Sequence, residues 1–134
     1  MNAAYPDVAS RAGHRCEYCH APEAVFNFPF EVEHVIPISQ DGSNDLHNLA
    51  LACRSCNLRK ASHLEFLDYE SGSLSPLFHP RQQSWSEHFF VDAEKAGVVL
   101  GTSNVGRATV ACLEMNSPAQ LSARRQWMKL GVFP

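Results

Sequence analysis

The sequence contains no long apolar run, no excess of positive charge, and no repeated or low-complexity segment. The lack of an apolar run argues against a transmembrane helix, and the polar, interrupted start of the chain does not resemble a secretory signal. We therefore expect a cytoplasmic protein. A net charge of −3 argues against an indiscriminate binder of polyanions. Hydrophobic residues make up 45% of the 134 residues, which is enough for one packed core.

Five cysteines occur in the chain, an odd number that argues against a framework of disulfides. Four of them form two C-x-x-C pairs, Cys16 with Cys19 and Cys53 with Cys56. Each pair closes a small chelate loop, and four thiolates complete the tetrahedral shell of a structural zinc ion. Unligated cysteines that merely pack are the alternative; a thioredoxin-like redox pair is disfavoured because no βαβ pattern surrounds either pair. The fifth cysteine, Cys112, fits a buried apolar position.

A short apolar stretch between the two cysteine pairs, EVEHVIPIS at residues 31–39, carries an ionisable pair. Its valines and isoleucines favour a half-buried strand, where Glu33 and His34 are costly unless both have partners. The cysteine pairs bring the ends of this insertion together, so Asn48 and Asn57 become candidates to converge there. Neighbours on a regular strand point to opposite faces, so Glu33 and His34 serve one site only if the chain bends or if the metal lies at the edge of the strand.

The local patterns predict an α+β protein in two parts. Residues 1–70 are expected to form a core. Its elements, in order, are a short helix over 3–13, one or two strands within 25–38, a short strand or turn entry at LALAC, and a helix from RSCNLRK through LEFLDY. Residues 71–84 are expected to be a linker, because they hold Pro and Ser without periodicity. The whole extension, residues 71–134, should add a hairpin of HFFVD and GVVLG and helices over 105–115 and 118–130, the second capped by Ser117.

Four blocks of the sequence resemble the HNH endonuclease motif in its zinc-containing form. They are, in order, CEYC, VEHVIP, DGSNDLHNLALAC and CRSCNLRK, and the resemblance spans residues 11–62. It implies a zinc-stapled ββα-metal core, in which a β-hairpin and a helix cradle one divalent metal ion. The later stretch from LFHPRQQSWSEHF to GRATV is similar to an extension carried by some bacterial HNH proteins.

The resemblance also implies a role for each polar residue in these blocks. His34 takes the place of the general base, and Asn48 that of the asparagine that braces the loop between the strands. Asn57 takes the final position of the motif, and Glu33 stands where the family usually has an aspartate that binds metal. Carboxylate and amide oxygens suit Mg²⁺ or Mn²⁺, and an imidazole can take a proton from water at cellular pH.

These roles predict a metal-dependent endonuclease that hydrolyses phosphodiester bonds in DNA, with structural zinc and a catalytic Mg²⁺ or Mn²⁺. Arg54, Arg59 and Lys60 are candidates to contact the phosphate backbone, although the same residues also suit an ordinary solvated helix face. The alternatives are a non-catalytic zinc module that binds nucleic acid and a partner-binding domain whose site has decayed. The low positive charge suggests that a second subunit, in a homodimer, or a protein partner assists substrate binding.

Overall fold

The computed structural model describes residues 2–134, which form four helices and three two-stranded antiparallel sheets. The helices are α1 (Tyr5–Arg11), α2 (Arg54–Lys60), α3 (Asn104–Cys112) and α4 (Pro118–Lys129). The strands are β1 (Glu31–His34), β2 (Leu49–Ala52), β3 (Glu65–Asp68), β4 (Ser73–Pro76), β5 (Phe89–Asp92) and β6 (Val98–Gly101). Each strand pairs with its neighbour in sequence, which gives a mixed α/β fold. In this part of the chain, none of the helices has the length and apolar character needed to cross a membrane.

The first sheet holds the ionisable pair of the EVEHVIPIS stretch. Glu33 lies opposite Ala50 and His34 lies opposite Leu49 in the β1–β2 register. All of β2 is buried, because α1 and α2 both pack near it. Helix α2 begins directly after Cys53, whose sulfur accepts a hydrogen bond from the backbone N–H of Cys56 at 3.4 Å.

Helix α2 is shorter than the sequence pattern predicts. It ends at Lys60, because the next residue, Ala61, takes a positive φ of 46° that no helix continues through. The predicted helical continuation through LEFLDY is wrong, since residues 65–68 form β3 instead. The apolar residues of that stretch therefore belong to the second sheet and not to a longer α2.

The segment expected to be a linker contains strand β4, which pairs with β3. Helix α3 packs on this hairpin, and the Arg107 guanidinium donates two hydrogen bonds of 2.9 Å to the buried Asp68. That guanidinium holds the pKa of Asp68 well below its usual range. Residues 73–76 have no apolar periodicity, and they form a strand because they pair with β3 and pack against α3. The boundary predicted at residues 70 and 71 therefore falls in the turn of a hairpin.

The last part of the chain closes on the first through a shared core. Strands β5 and β6 lie at HFFVD and GVVLG, and the Ser117 hydroxyl caps α4 by accepting a hydrogen bond from the Gln120 N–H at 3.3 Å. The Arg124 guanidinium is fully buried and donates to the carbonyls of Gly97 at 3.0 Å and Met115 at 2.7 Å. One apolar cluster runs from Val8 to Phe133. The extension thus packs on the residues that carry the cysteine pairs.

Candidate functional site

The four paired cysteines converge on one buried point. Their sulfur atoms all lie within 4.8 Å of one another. In a tetrahedral site with Zn–S bonds of about 2.3 Å, neighbouring sulfurs lie about 3.8 Å apart. The sulfurs of Cys19 and Cys53 are 3.7 Å apart. Both the spacing and the ligand chemistry are therefore compatible with a structural zinc ion.

The first cysteine pair belongs to a tight turn, residues 16–20, that we call the zinc knuckle. The Cys16 carbonyl accepts a hydrogen bond from the His20 N–H at 2.9 Å. Glu17 binds β2 twice, because its N–H donates to the Leu51 carbonyl at 2.8 Å and its carboxylate accepts from the Leu51 N–H at 2.7 Å. The knuckle is thus fixed to the sheet as well as to the cysteine cluster.

The extension contacts the outer side of the zinc knuckle. Arg81 forms an ion pair with Glu17, and burial lowers the pKa of Arg81 to about 10. The Trp85 indole N–H donates to the Tyr18 carbonyl at 2.8 Å, and its ring stacks on His20 with 4.0 Å between ring centroids. These three contacts fix the segment after β4 against the knuckle.

Glu33 is buried on β1, 6% exposed, and has two partners. The Tyr18 hydroxyl donates to one carboxylate oxygen, and the Lys60 ammonium lies 3.4 Å from the other. Burial raises the pKa of Glu33, while Lys60 and the Tyr18 hydrogen bond oppose that shift. The strand therefore tolerates this carboxylate because a cation and a hydroxyl are buried beside it.

Lys60 lies inside the fold instead of facing solvent. It is 1% exposed, and its ammonium also donates to the Val35 carbonyl at 2.8 Å. Lys60 follows Cys56 by one helical turn, so the buried face of α2 carries both residues. Lys60 therefore does not belong to a solvated helix face, the alternative to a phosphate contact, and its ammonium is already engaged with Glu33 and Val35.

The surroundings of His34 differ from those of Glu33, the preceding residue on β1. Its ring is half-buried, and its Nε2 lies 2.6 Å from the Asn44 side-chain oxygen. Asn44 belongs to the loop between β1 and β2, so the contact joins the end of the strand to that loop. The alternation of a regular strand thus gives Glu33 and His34 separate partners.

Asn48 spans the loop between β1 and β2 with three hydrogen bonds. Its side-chain oxygen accepts from the Ile36 N–H at 2.9 Å, and its amide nitrogen donates to the Ile36 carbonyl at 3.0 Å and the Ser43 carbonyl at 2.8 Å. Asn57 is half-buried on α2, three residues before Lys60, so the two share a helix face. This is the face that Lys60 turns toward Glu33.

The two arginines of α2 have different surroundings. Arg54, at the first position of the helix, is exposed. The Arg59 guanidinium lies 3.4 Å from the Glu114 carboxylate and donates to the Glu114 carbonyl at 3.5 Å. Arg59 is therefore engaged with the segment between α3 and α4, while Arg54 faces solvent.

Residues 16–63 match the family model described as HNH endonuclease. This segment is an HNH domain. The match includes both cysteine pairs, β1, β2 and α2, and the rest of the chain lies outside it. No curated protein and no solved structure matches the chain. The HNH domain indicates a nuclease-type function on nucleic acid.

Two side chains of the HNH domain were not indicated by the sequence. Tyr18 supplies the hydroxyl to Glu33, and Asn44 is the partner of the His34 ring. The position of Tyr18 between two cysteines is a usable signal, because residues inside a chelate loop are held close to the ligand cluster. Asn44 lies among the turn-forming residues DGSND and has no comparable signal.

Replacing Cys53 with serine removes one of the four thiolates. We expect the protein to lose its zinc and the free energy of unfolding to fall by more than about 4 kcal/mol, because a structural metal site contributes folding energy directly. Metal analysis of the purified protein and urea unfolding measure the two effects. Cys112→Ser is the matched control, since Cys112 lies outside the cluster. Equal zinc content in both variants would contradict the assignment.

Replacing Lys60 with methionine leaves the Glu33 carboxylate buried without its counter-charge. We expect the free energy of unfolding at neutral pH, measured with urea, to fall by roughly 3–5 kcal/mol. The loss should shrink as the pH is lowered. Burial already raises the pKa of Glu33, removal of the ammonium raises it further, and a protonated carboxyl needs no counter-charge.

Lys129→Met is the control for this change, because Lys129 is an exposed lysine at the end of α4. Its free energy of unfolding should change by less than about 0.5 kcal/mol. Both variants keep all four cysteines, so any acid-induced loss of zinc cancels in the difference between them. Equal stability of the two variants at neutral pH would mean that the buried pair does not hold the HNH domain together.

Proposed function

We propose that the protein is a metal-dependent endonuclease that hydrolyses phosphodiester bonds in DNA. The observation that carries the proposal is that a buried carboxylate, Glu33, and a half-buried imidazole, His34, are neighbours in sequence on a strand of the HNH domain. An unpaired ionisable group on such a strand is costly. Contacts from Tyr18, Lys60 and Asn44 hold the two side chains in place, which a catalytic site requires.

His34 is the general base in this proposal. When its Nε2 carries the proton and donates to the Asn44 side-chain oxygen, its Nδ1 is left unprotonated. That nitrogen then takes a proton from the water molecule that attacks phosphorus. Asn48 acts as a positioning residue, because its three hydrogen bonds hold the loop that carries Asn44.

Glu33 and Asn57 would hold the catalytic Mg²⁺ or Mn²⁺. Carboxylate and amide oxygens suit a hard divalent cation, and a metal at Glu33 would take over the counter-charge that the Lys60 ammonium supplies. When bound, such a metal stabilises the charge on the phosphate and on the leaving oxygen. Tyr18 fixes the rotamer of Glu33 through its hydrogen bond.

A non-catalytic, zinc-dependent module that binds nucleic acid is the second candidate. The near-complete burial of Glu33 favours it, because both carboxylate oxygens already have partners. In that case the Glu33–Lys60 pair stabilises the HNH domain and the exposed Arg54 contributes to phosphate binding. A cytoplasmic location and a homodimer or protein partner stay predictions for both candidates.

Cleavage of supercoiled plasmid with Mg²⁺ or Mn²⁺ tests the proposed activity. We expect His34→Ala to lower the cleavage rate by about a hundredfold or more, the usual contribution of a general base. Zinc content and the unfolding curve should be unchanged, because His34 contacts neither the cysteine cluster nor the Glu33 carboxylate.

His14→Ala is the matched histidine control, since His14 is a largely exposed residue paired with Glu23. Its cleavage rate should stay within about twofold of that of the wild type. A folded, zinc-loaded wild type that leaves plasmid, branched DNA and RNA intact with either metal would overturn the proposal. Binding of the same nucleic acids without cleavage would then support the second candidate.

A further inference from the structure

A cleft of about 320 Å³ lies between the HNH domain and the extension. One wall starts at Val35 and Ile36, the two residues that follow His34, and includes Lys60. The opposite wall is formed by residues within 76–83, outside the segment that matches the HNH family. The cleft therefore begins at the residue that follows His34 in the chain, and the extension completes it.

The lining of this cleft favours an anionic ligand. Among the described residues that line it, none is acidic, although the protein as a whole has a net charge of −3. Its polar side chains are those of one lysine, two histidines and two glutamines: Lys60, His63, His79, Gln82 and Gln83. Lys60 is paired with Glu33, so the donors open to a ligand are those of the histidine and glutamine side chains. Burial is the main cause that lowers the pKa of His79, and the nearby Lys60 and His47 add to it.

The extension wall is held rigidly around His79. The Nδ1 of its ring accepts a hydrogen bond from the Arg81 N–H at 3.2 Å, and its carbonyl accepts from the Gln83 N–H at 2.9 Å. On one side of this turn, the Phe78 N–H donates to the Thr109 hydroxyl of α3 at 2.9 Å. On the other side, the ion pair of Arg81 fixes the turn to the zinc knuckle. A side chain fixed in this way is preorganised for binding.

We propose that this cleft holds a stretch of the phosphodiester backbone of the nucleic acid, with His79 and Gln82 as phosphate contacts. The inference rests on the proposed nuclease function and adds a substrate-binding role for the extension. The Nδ1 of His79 is used by the turn, so its Nε2–H is the donor that remains for a phosphate oxygen. Gln82 is exposed beside it and offers an amide N–H.

Pairs of variants that differ mainly in charge test this inference. Asn and Asp at position 79 can both accept a hydrogen bond from the Arg81 N–H, as in an Asx turn, so both should keep the turn. Gln82→Glu places a carboxylate in the cleft, and Gln126→Glu makes the same change on the exposed surface of α4. All four are made in the His34→Ala background, so that a short fluorescein-labelled DNA duplex is bound without being cut.

We expect His79→Asp and Gln82→Glu each to weaken duplex binding at low salt by about tenfold, because a carboxylate then faces a phosphate. His79→Asn should weaken binding by a smaller factor, about threefold, because it removes the Nε2–H donor without adding a charge. Gln126→Glu should stay within about twofold of the His34→Ala parent. The differences should diminish as salt is added, since they are electrostatic. Zinc analysis checks folding, and should His79→Asp lose zinc, the exposed Gln82 carries the test.

Each outcome separates this inference from the function on which it rests. If the wild type cuts DNA and all four variants bind the duplex alike, the cleft is not the backbone site, and the proposed function stands. If His79→Asn binds as weakly as His79→Asp, the effect does not come from charge and the inference is overturned. If the wild type neither cuts nor binds DNA, the proposed function and this inference fail together.

Discussion

The convergence of four cysteine sulfurs is the constraint from which the other features of the molecule follow. It joins the zinc knuckle to the start of α2, although the two cysteine pairs are separated by the whole β1–β2 hairpin. Once the knuckle is fixed, its two inner residues have set positions. Glu17 pairs with the backbone of β2, and Tyr18 reaches the carboxylate of Glu33. The same cluster sets the start of α2, so Lys60 arrives at the other side of that carboxylate.

The sequence predicted the local features whose causes are local. The N-cap at Ser117, the apolar strand at LALAC and the paired cysteines each depend on residues close together in the chain. The early end of α2 did not follow from sequence, because Ala61 has no intrinsic preference for a positive φ. Strand β4 was also missed. It is specified by pairing with β3 and by packing against α3, and neither contact leaves an apolar period in a short polar segment.

For the candidate site, residue type indicated which side chains matter but not what they contact. Asn48 bridges its loop through hydrogen bonds to Ile36 and Ser43. The basic residues were harder to interpret, because an arginine or lysine looks the same in sequence whether it faces water or a buried partner. Several basic side chains are engaged with other parts of the protein, among them Arg59 with Glu114, Arg81 with Glu17, Arg107 with Asp68, Arg124 with backbone carbonyls, and Lys60 with Glu33. These side chains therefore stabilise the fold. The cleft between the HNH domain and the extension differs from the places they occupy, because it has no acidic side chain among its lining residues in the described part of the chain.

The position of the tryptophans has a consequence for spectroscopy. The chain has two, and both border the cysteine cluster. Trp85 stacks on His20 of the zinc knuckle, and Trp127 lines a small cavity together with Cys53. Intrinsic fluorescence is therefore dominated by the surroundings of the cysteine cluster. An optical melting curve of this protein follows that cluster and is nearly silent about the β3–β4 hairpin, which contains no tryptophan.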